Sequence, residues 1–172
     1  MSHSSDGLLD ITHAADYVTV SNSFIHNHWK GSLVGHSEKN GAEDKGFLHV
    51  TYANNYWSDM GSRAPSIRFG TAHIFNNYYE DIKTSGVNTR EGAEVLIEST
   101  VFDNVKRPVT AVDTDNEGTA TMNDVELGNG EYVEEAAKLG TNNLAVEYEY
   151  TLLGSAAVKA AVVGTAGATL SL

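Results

Sequence analysis

The sequence contains no cysteine and only two prolines in 172 residues, and its acids outnumber its bases 23 to 11. Without cysteine there is no disulfide framework, no thiolate zinc site and no thiol nucleophile. The net charge of −12 excludes a broadly basic face, so nucleic acid and anionic membranes are poor partners. Apolar runs of roughly 18 residues, the length of a membrane-spanning helix, are also missing. Residues 1–5 (MSHSS) carry no apolar signal region. What remains is 41% hydrophobic and 20% charged, a globular composition with enough chain for one domain and its core.

The chain repeats itself. Val18-Thr-Val20-Ser-Asn22-Ser-Phe24-Ile25 has two alternating apolar positions, a polar residue and an apolar or aromatic pair. The same pattern returns at Val50–Trp57, Ala72–Tyr79, Val95–Phe102 and, more weakly, Ala120–Val125. The first interval is the longest because residues 35–46 (GHSEKNGAEDKG) read as an inserted polar loop. Period-2 segments broken by Gly, Asn and Asp are strands. Their recurrence suits the turns of a parallel β-solenoid, in which each coil stacks only on its neighbours. An immunoglobulin-type sandwich fits less well, because its strands recur faster through hairpin turns. Stacking puts Asn22, Asn54 and Asn76 in register, where an inward Asn can bond backbone groups left unpaired at a bend.

The expected fold is therefore an all-β, right-handed parallel β-helix of about five coils, forming a single domain over 1–172. Coils are expected over 6–130, with a C-terminal strand/helix cap and tail over 131–172. Within that last part, Glu131–Leu139 predicts a short helix and Leu144–Tyr150 an alternating strand. Ser155–Val163 predicts a helix over one end of the stack, and Gly164–Leu172 an extended tail.

The few cations fall at related places. Lys30 follows the first coil's strand, Arg63 and Arg68 flank Pro65 after the second, and Arg90 follows the third. In a solenoid they become neighbours on one lateral face, and guanidinium forks suit carboxylates. The plainer reading is that each pairs with a surface acid. Asp6 and Asp10, four residues apart in an extended strand, face one way. They are either part of a hard-cation site, which takes about six to eight oxygens, or solvated charges. The seven histidines carry little: His26 and His28 share a strand face, but no third ligand has metal-like spacing. No Gly-x-Ser-x-Gly elbow points to a serine nucleophile.

These residues resemble the polysaccharide lyase family 1 pectate lyases, the fungal members above all. The resemblance is carried in order by Asp6-Gly-Leu-Leu-Asp10-Ile-Thr, Tyr17-Val-Thr-Val-Ser21 and His28-Trp-Lys30-Gly-Ser-Leu33-Val-Gly-His36-Ser37. Asn54-Asn-Tyr-Trp57, Arg63-Ala-Pro-Ser-Ile-Arg68-Phe-Gly70, Asn76-Asn-Tyr-Tyr79 and Gly86-Val-Asn-Thr-Arg90 continue it, and Tyr150–Val158 resembles the fungal tail.

The resemblance implies calcium-dependent β-elimination of polygalacturonate, giving 4,5-unsaturated oligogalacturonides. It implies Arg63 as the catalytic group that takes the C5 proton, with Lys30, Arg68 and Arg90 binding substrate. It makes Asp6 and Asp10 two of the Ca2+ ligands, the other acidic ligands lying in a first half not represented here. It also implies a secreted, extracellular monomer acting on pectin, with neither nucleic acid nor membrane as partner. A guanidinium is a demanding base, with a pKa above about 12. Neighbouring cations and calcium lower it, and electrostatic stabilisation by a charged Arg63 is the alternative. Two other readings stay open: a non-catalytic, acidic-polysaccharide-binding solenoid, and an inactive lyase fragment lacking half the calcium site. A calcium-free pectin lyase is disfavoured by the retained Asp6 and Asp10.

Overall fold

The computed structural model describes residues 7–169. Eleven strands follow in chain order: β1 Leu9–Ile11, β2 Val18–Ser21, β3 Phe24–Lys30, β4 Ser32–Val34, β5 His49–Ala53, β6 Tyr56–Ser62, β7 Ser66–Arg68, β8 Thr71–Phe75, β9 Tyr78–Arg90, β10 Glu94–Thr110 and β11 Thr119–Glu126. A 3-10 turn (Glu38–Asn40) and helix α1 (Gly41–Asp44) sit between β4 and β5. A second 3-10 segment (Val133–Lys138) and helix α2 (Ser155–Val162) follow β11. All ladders between these strands are parallel.

The strands form a β-solenoid with three lateral walls. The first wall stacks β2, β5, β8, the start of β10 and β11, pairing Val18 with Val50, Val50 with Ala72, Ala72 with Val95 and Val95 with Ala120. This is the register the repeat predicts. The second wall stacks β3, β6, the start of β9 and the middle of β10. The third stacks β1, β4, β7 and the ends of β9 and β10. Inside, Trp57, Tyr79 and Phe102 stack plane on plane with centroids 5.8 and 4.5 Å apart.

The bends between the first and second walls use two asparagine positions, where the sequence suggests one. Asn22, Asn54, Asn76, Ser99 and Asp124 all take the left-handed conformation, with φ from 46 to 56°. Asn and Asp adopt it at less cost than other side chains. The buried ladder is one residue further on. Asn55 Oδ1 accepts from Ser23 N at 2.9 Å, and Asn77 Oδ1 accepts from Asn55 N at 3.1 Å. Their amides donate inward, to the carbonyls of Val20 and Tyr52. Asn54 and Asn76 are joined separately, Asn76 Nδ2 donating to Asn54 Oδ1 at 3.0 Å.

The C-terminal third departs from expectation in two places. Residues 144–150 alternate cleanly but lie in no ladder. They cross the outer face of the first wall as a strap held by side chains, Tyr148 to Thr51 and His73, and Tyr150 to Glu98. Helix α2 does not cover an end. Val158 and Val162 pack on Tyr78, against the flank of the second wall, while Asp124 accepts from Ser155 N and Oγ at its first turn. The end of the stack instead meets the 133–138 segment, whose Ala136 joins the core and whose Glu135 bonds Thr110.

Candidate functional site

The third wall and the corner leading into it carry the cations. Ile11, Val34 and Ile67 point into the core. Strand alternation therefore turns their neighbours outward: Asp10, Leu33, Ser66 and Asn88 form one paired row. Arg68 and Arg90, paired with each other, form the next.

Arg68 is 93% buried (7% exposed), and its Nη1 donates to the Gly35 carbonyl at 2.8 Å. Its Nε is buried with no protein partner. Burial lowers the Arg68 pKa first, then the charges of Arg90 and Arg63, while Glu38 and Glu91 oppose them. Two neighbouring guanidiniums thus act on Arg68. Arg90 Nη2 donates to the Asp113 carbonyl, so this cation is tied to the segment that follows β10. Asn88 fastens the same segment, exchanging hydrogen bonds with Val112 at 3.0 and 3.2 Å.

Arg63 lies between β6 and β7 with φ of +60°. Its carbonyl accepts from Ser32 N at 2.7 Å, and the next amide, Ala64 N, donates to Gly86 O at 3.1 Å. The coil above and the coil below therefore both hold the backbone that presents this side chain. Lys30 ends β3, half-buried, in register with Ser62, the residue before Arg63. Its carbonyl and amide meet His28 Nδ1 at 2.8 and 3.2 Å. Lys30, Arg63, Arg68 and Arg90 are thus gathered at one corner and one wall by the solenoid's register.

Of the two acids, Asp6 lies outside the described residues. Asp10 is exposed on the outward row, and its Oδ1 accepts from Leu33 N at 3.2 Å. Among the described residues no three or more His, Asp or Glu gather to hold a metal ion. One carboxylate, already committed to an amide, falls far short of the about six to eight oxygens that calcium takes. The described residues therefore do not form a calcium site.

His26 and His28 do not share a face. Asn27 between them is left-handed (φ +55°), which shifts the alternation. His26 stacks on Phe24, whereas His28 pairs in register with Met60, a core residue. The polar loop after Gly35 proves to be part of the site's frame. It supplies the Gly35 carbonyl to Arg68 and is pinned by Asp44, which accepts from Ala14 N at 2.9 Å. Gly35 at the loop's start, with φ of +73°, was the one sequence signal of that role.

The family profile described as "Pectate lyase" matches residues 2–171. Pectate lyase B of Colletotrichum gloeosporioides is 60% identical over 166 residues, 96% of this chain and 49% of the relative. Pectate lyase A of Aspergillus niger is 56% identical over the same shares. Among solved structures, a pectate lyase from Bacillus sp. N165 in complex with trigalacturonate superposes with a TM-score of 0.82 at 30% identity, covering 95% of this chain and 52% of that one. Pectate lyase II of Xanthomonas campestris gives 0.80 at 31% identity, over 95% and 53%. The chain spans about half the length of the curated relatives it matches.

Proposed function

The chain belongs to the pectate lyase family, and on that premise we propose that its third-wall cations bind and cleave de-esterified pectin by β-elimination. The observation that carries this reading is the register pairing of Arg68 with Arg90 beside Arg63, a guanidinium cluster on a protein of net charge −12. Such a cluster selects a repeating carboxylate. The structure of the Bacillus relative contains trigalacturonate, a ligand of that kind.

In this reading Arg68 and Lys30 take up galacturonate carboxylates, and Arg90 adds positive potential from the adjacent strand. Neutralising a carboxylate makes the C5–H beside it more acidic, because the charge that develops when the proton leaves is spread onto that group. Arg63 is the group that takes the proton. The C5–H bond breaks with its proton going to the neutral guanidine form of Arg63, C4=C5 forms, and the C4–O bond breaks with its electron pair going to the departing sugar oxygen, which takes a proton from solvent as Arg63 returns its own. The product is a 4,5-unsaturated sugar, and no water is consumed. Calcium dependence is part of the proposal, Asp10 and Asp6 contributing carboxylates to a site completed by residues other than those described. Action outside the cell, on pectin, follows from the same family reading.

The test is an elimination assay on polygalacturonate and on methyl-esterified pectin, with calcium and with chelator, for wild type and Arg63→Ala. Unsaturated product from polygalacturonate alone, lost in Arg63→Ala, supports the reading. A second reading is favoured by the lone Asp10 carboxylate: a solenoid that binds acidic polysaccharide without turning it over. Equal binding by wild type and Arg63→Ala, with no product from either, selects it.

A further inference from the structure

We infer that Trp29 is a sugar-stacking residue at the edge of the cation cluster, holding one galacturonate ring through its apolar face. This rests on the pectate reading and extends it from charge to shape.

Trp29 immediately precedes Lys30 and is 59% exposed, the most exposed side chain of its size among the described residues apart from Tyr17. It is not a loose surface residue. The indole lies over Gly61 of the next coil. A Cβ built on Gly61 would sit 2.4 and 2.5 Å from the ring atoms Cε3 and Cδ2, so only glycine leaves room for it there. Gly61 is two residues before Arg63, and Ser62 between them hydrogen-bonds the Trp29 carbonyl at 3.4 Å. One face of the indole is seated on backbone, and much of the remainder meets solvent.

A large apolar ring open to solvent one residue before Lys30 gains from being covered by an apolar surface. The galactopyranose ring has a face made of C–H groups. Those polarised C–H bonds meet the negative face of an indole favourably, in the way that aromatic edges do. Cations alone fix where carboxylates sit but allow the chain to slide by one sugar. A flat platform next to Lys30 sets which ring faces Arg63. The isosteric demand on Gly61 explains why the second wall carries a glycine at that strand position.

The chain's two tryptophans make the test direct, since Trp57 is fully buried in the core and Trp29 is not. Tetragalacturonate is titrated into the chain while heat and tryptophan emission are both recorded, for wild type, Trp29→Ala, Trp29→Tyr and Arg68→Ala. The expected result is a blue shift of the exposed indole's emission that saturates with the heat. Trp29→Ala should bind about tenfold more weakly and Trp29→Tyr within about threefold of wild type. Thermal unfolding of each variant separates lost binding from lost folding. Heat that is abolished in Arg68→Ala but unchanged in Trp29→Ala, with a silent indole, overturns the role of Trp29 and leaves the pectate reading standing. No heat in wild type overturns both.

Discussion

Arg68 and Arg90 are register partners on adjacent parallel strands, two guanidinium-bearing residues directed outward one strand spacing apart. Strands in a ladder are about 4.8 Å apart. The charge of Arg90 weighs against that of Arg68, Glu38 and Glu91 offset part of this, and an anion lying across the pair offsets more. Arg68→Ala should therefore weaken oligogalacturonate binding by at least about tenfold, the loss of one charge-assisted contact. Arg68→Lys should recover only part of it. Calorimetric titration of both variants checks this.

Salt should weaken the same binding. The partly exposed cations are screened over about 8 Å at 0.15 M ionic strength. The dissociation constant is expected to rise steadily with added NaCl for wild type and less steeply for Arg90→Ala, which removes one of the half-buried cations. A titration series across ionic strength reads the slope.

The buried asparagine ladder predicts a stability cost that surface asparagines do not share. Asn77 is fully buried, donates to Tyr52 O and Phe75 O, and accepts from Asn55 N. Asn77→Ala takes the donor from Tyr52 O and the acceptor from Asn55 N, while Phe75 O keeps its bond from Asn54 N, and should cost about 2 kcal/mol or more, at about 1 kcal/mol or more per group. Asn22→Ala, at an exposed bend, should cost about 1 kcal/mol through its left-handed backbone. Urea unfolding of the two variants gives the comparison.

Acid should release the strap over the first wall before the solenoid unfolds. His73 and Glu98 are bonded to each other at 3.0 Å beneath it, with Tyr148 on His73 Nδ1 and Tyr150 and Asn123 on Glu98. Burial holds the His73 pKa below its ordinary 6.5 despite Glu98. The Glu98 pKa is also lowered: burial alone would raise it, and the bonds from Tyr150, Asn123 and His73 outweigh that. Both folded values are depressed, so both groups contribute stability at neutral pH that is lost on acidification. The loss begins below about pH 6.5 for His73 and near 4.5 for Glu98. On the alkaline side the hydrogen bond to Glu98 pushes Tyr150 up to about 12, so its contribution is full below pH 10 and lost as pH rises through that value. Hydrogen exchange of residues 144–153 at several pH values should show protection greatest between these limits, and Glu98→Gln should flatten the acid limb.

How much of this could be read from the sequence depends on whether a signal was local to one coil. Val50, Ala72 and Val95 declare their register because alternation and a polar bend residue recur together. The positions of Lys30, Arg63, Arg68 and Arg90 at related places in successive coils are legible for the same reason, while the roles proposed for them are not set by the repeat. The strap was not, because alternation at Leu144–Tyr150 shows two faces but not whether an open strand edge awaits them. Counting by twos puts His26 and His28 on one face because it cannot see the left-handed Asn27. Trp29 and Gly61 stand 32 residues apart, the same step that separates Val18 from Val50. The pairing of a tryptophan with a glycine one coil away was therefore present in the sequence and becomes meaningful only once the coils are stacked.

The most direct test of the central claim is the affinity of this chain for tetragalacturonate compared with its methyl-esterified form, for wild type and Arg68→Ala. The account predicts measurable binding of the free acid, loss of most of it on esterification, and a similar loss in Arg68→Ala. Equal affinity for both ligands, or wild-type affinity in Arg68→Ala, would contradict it.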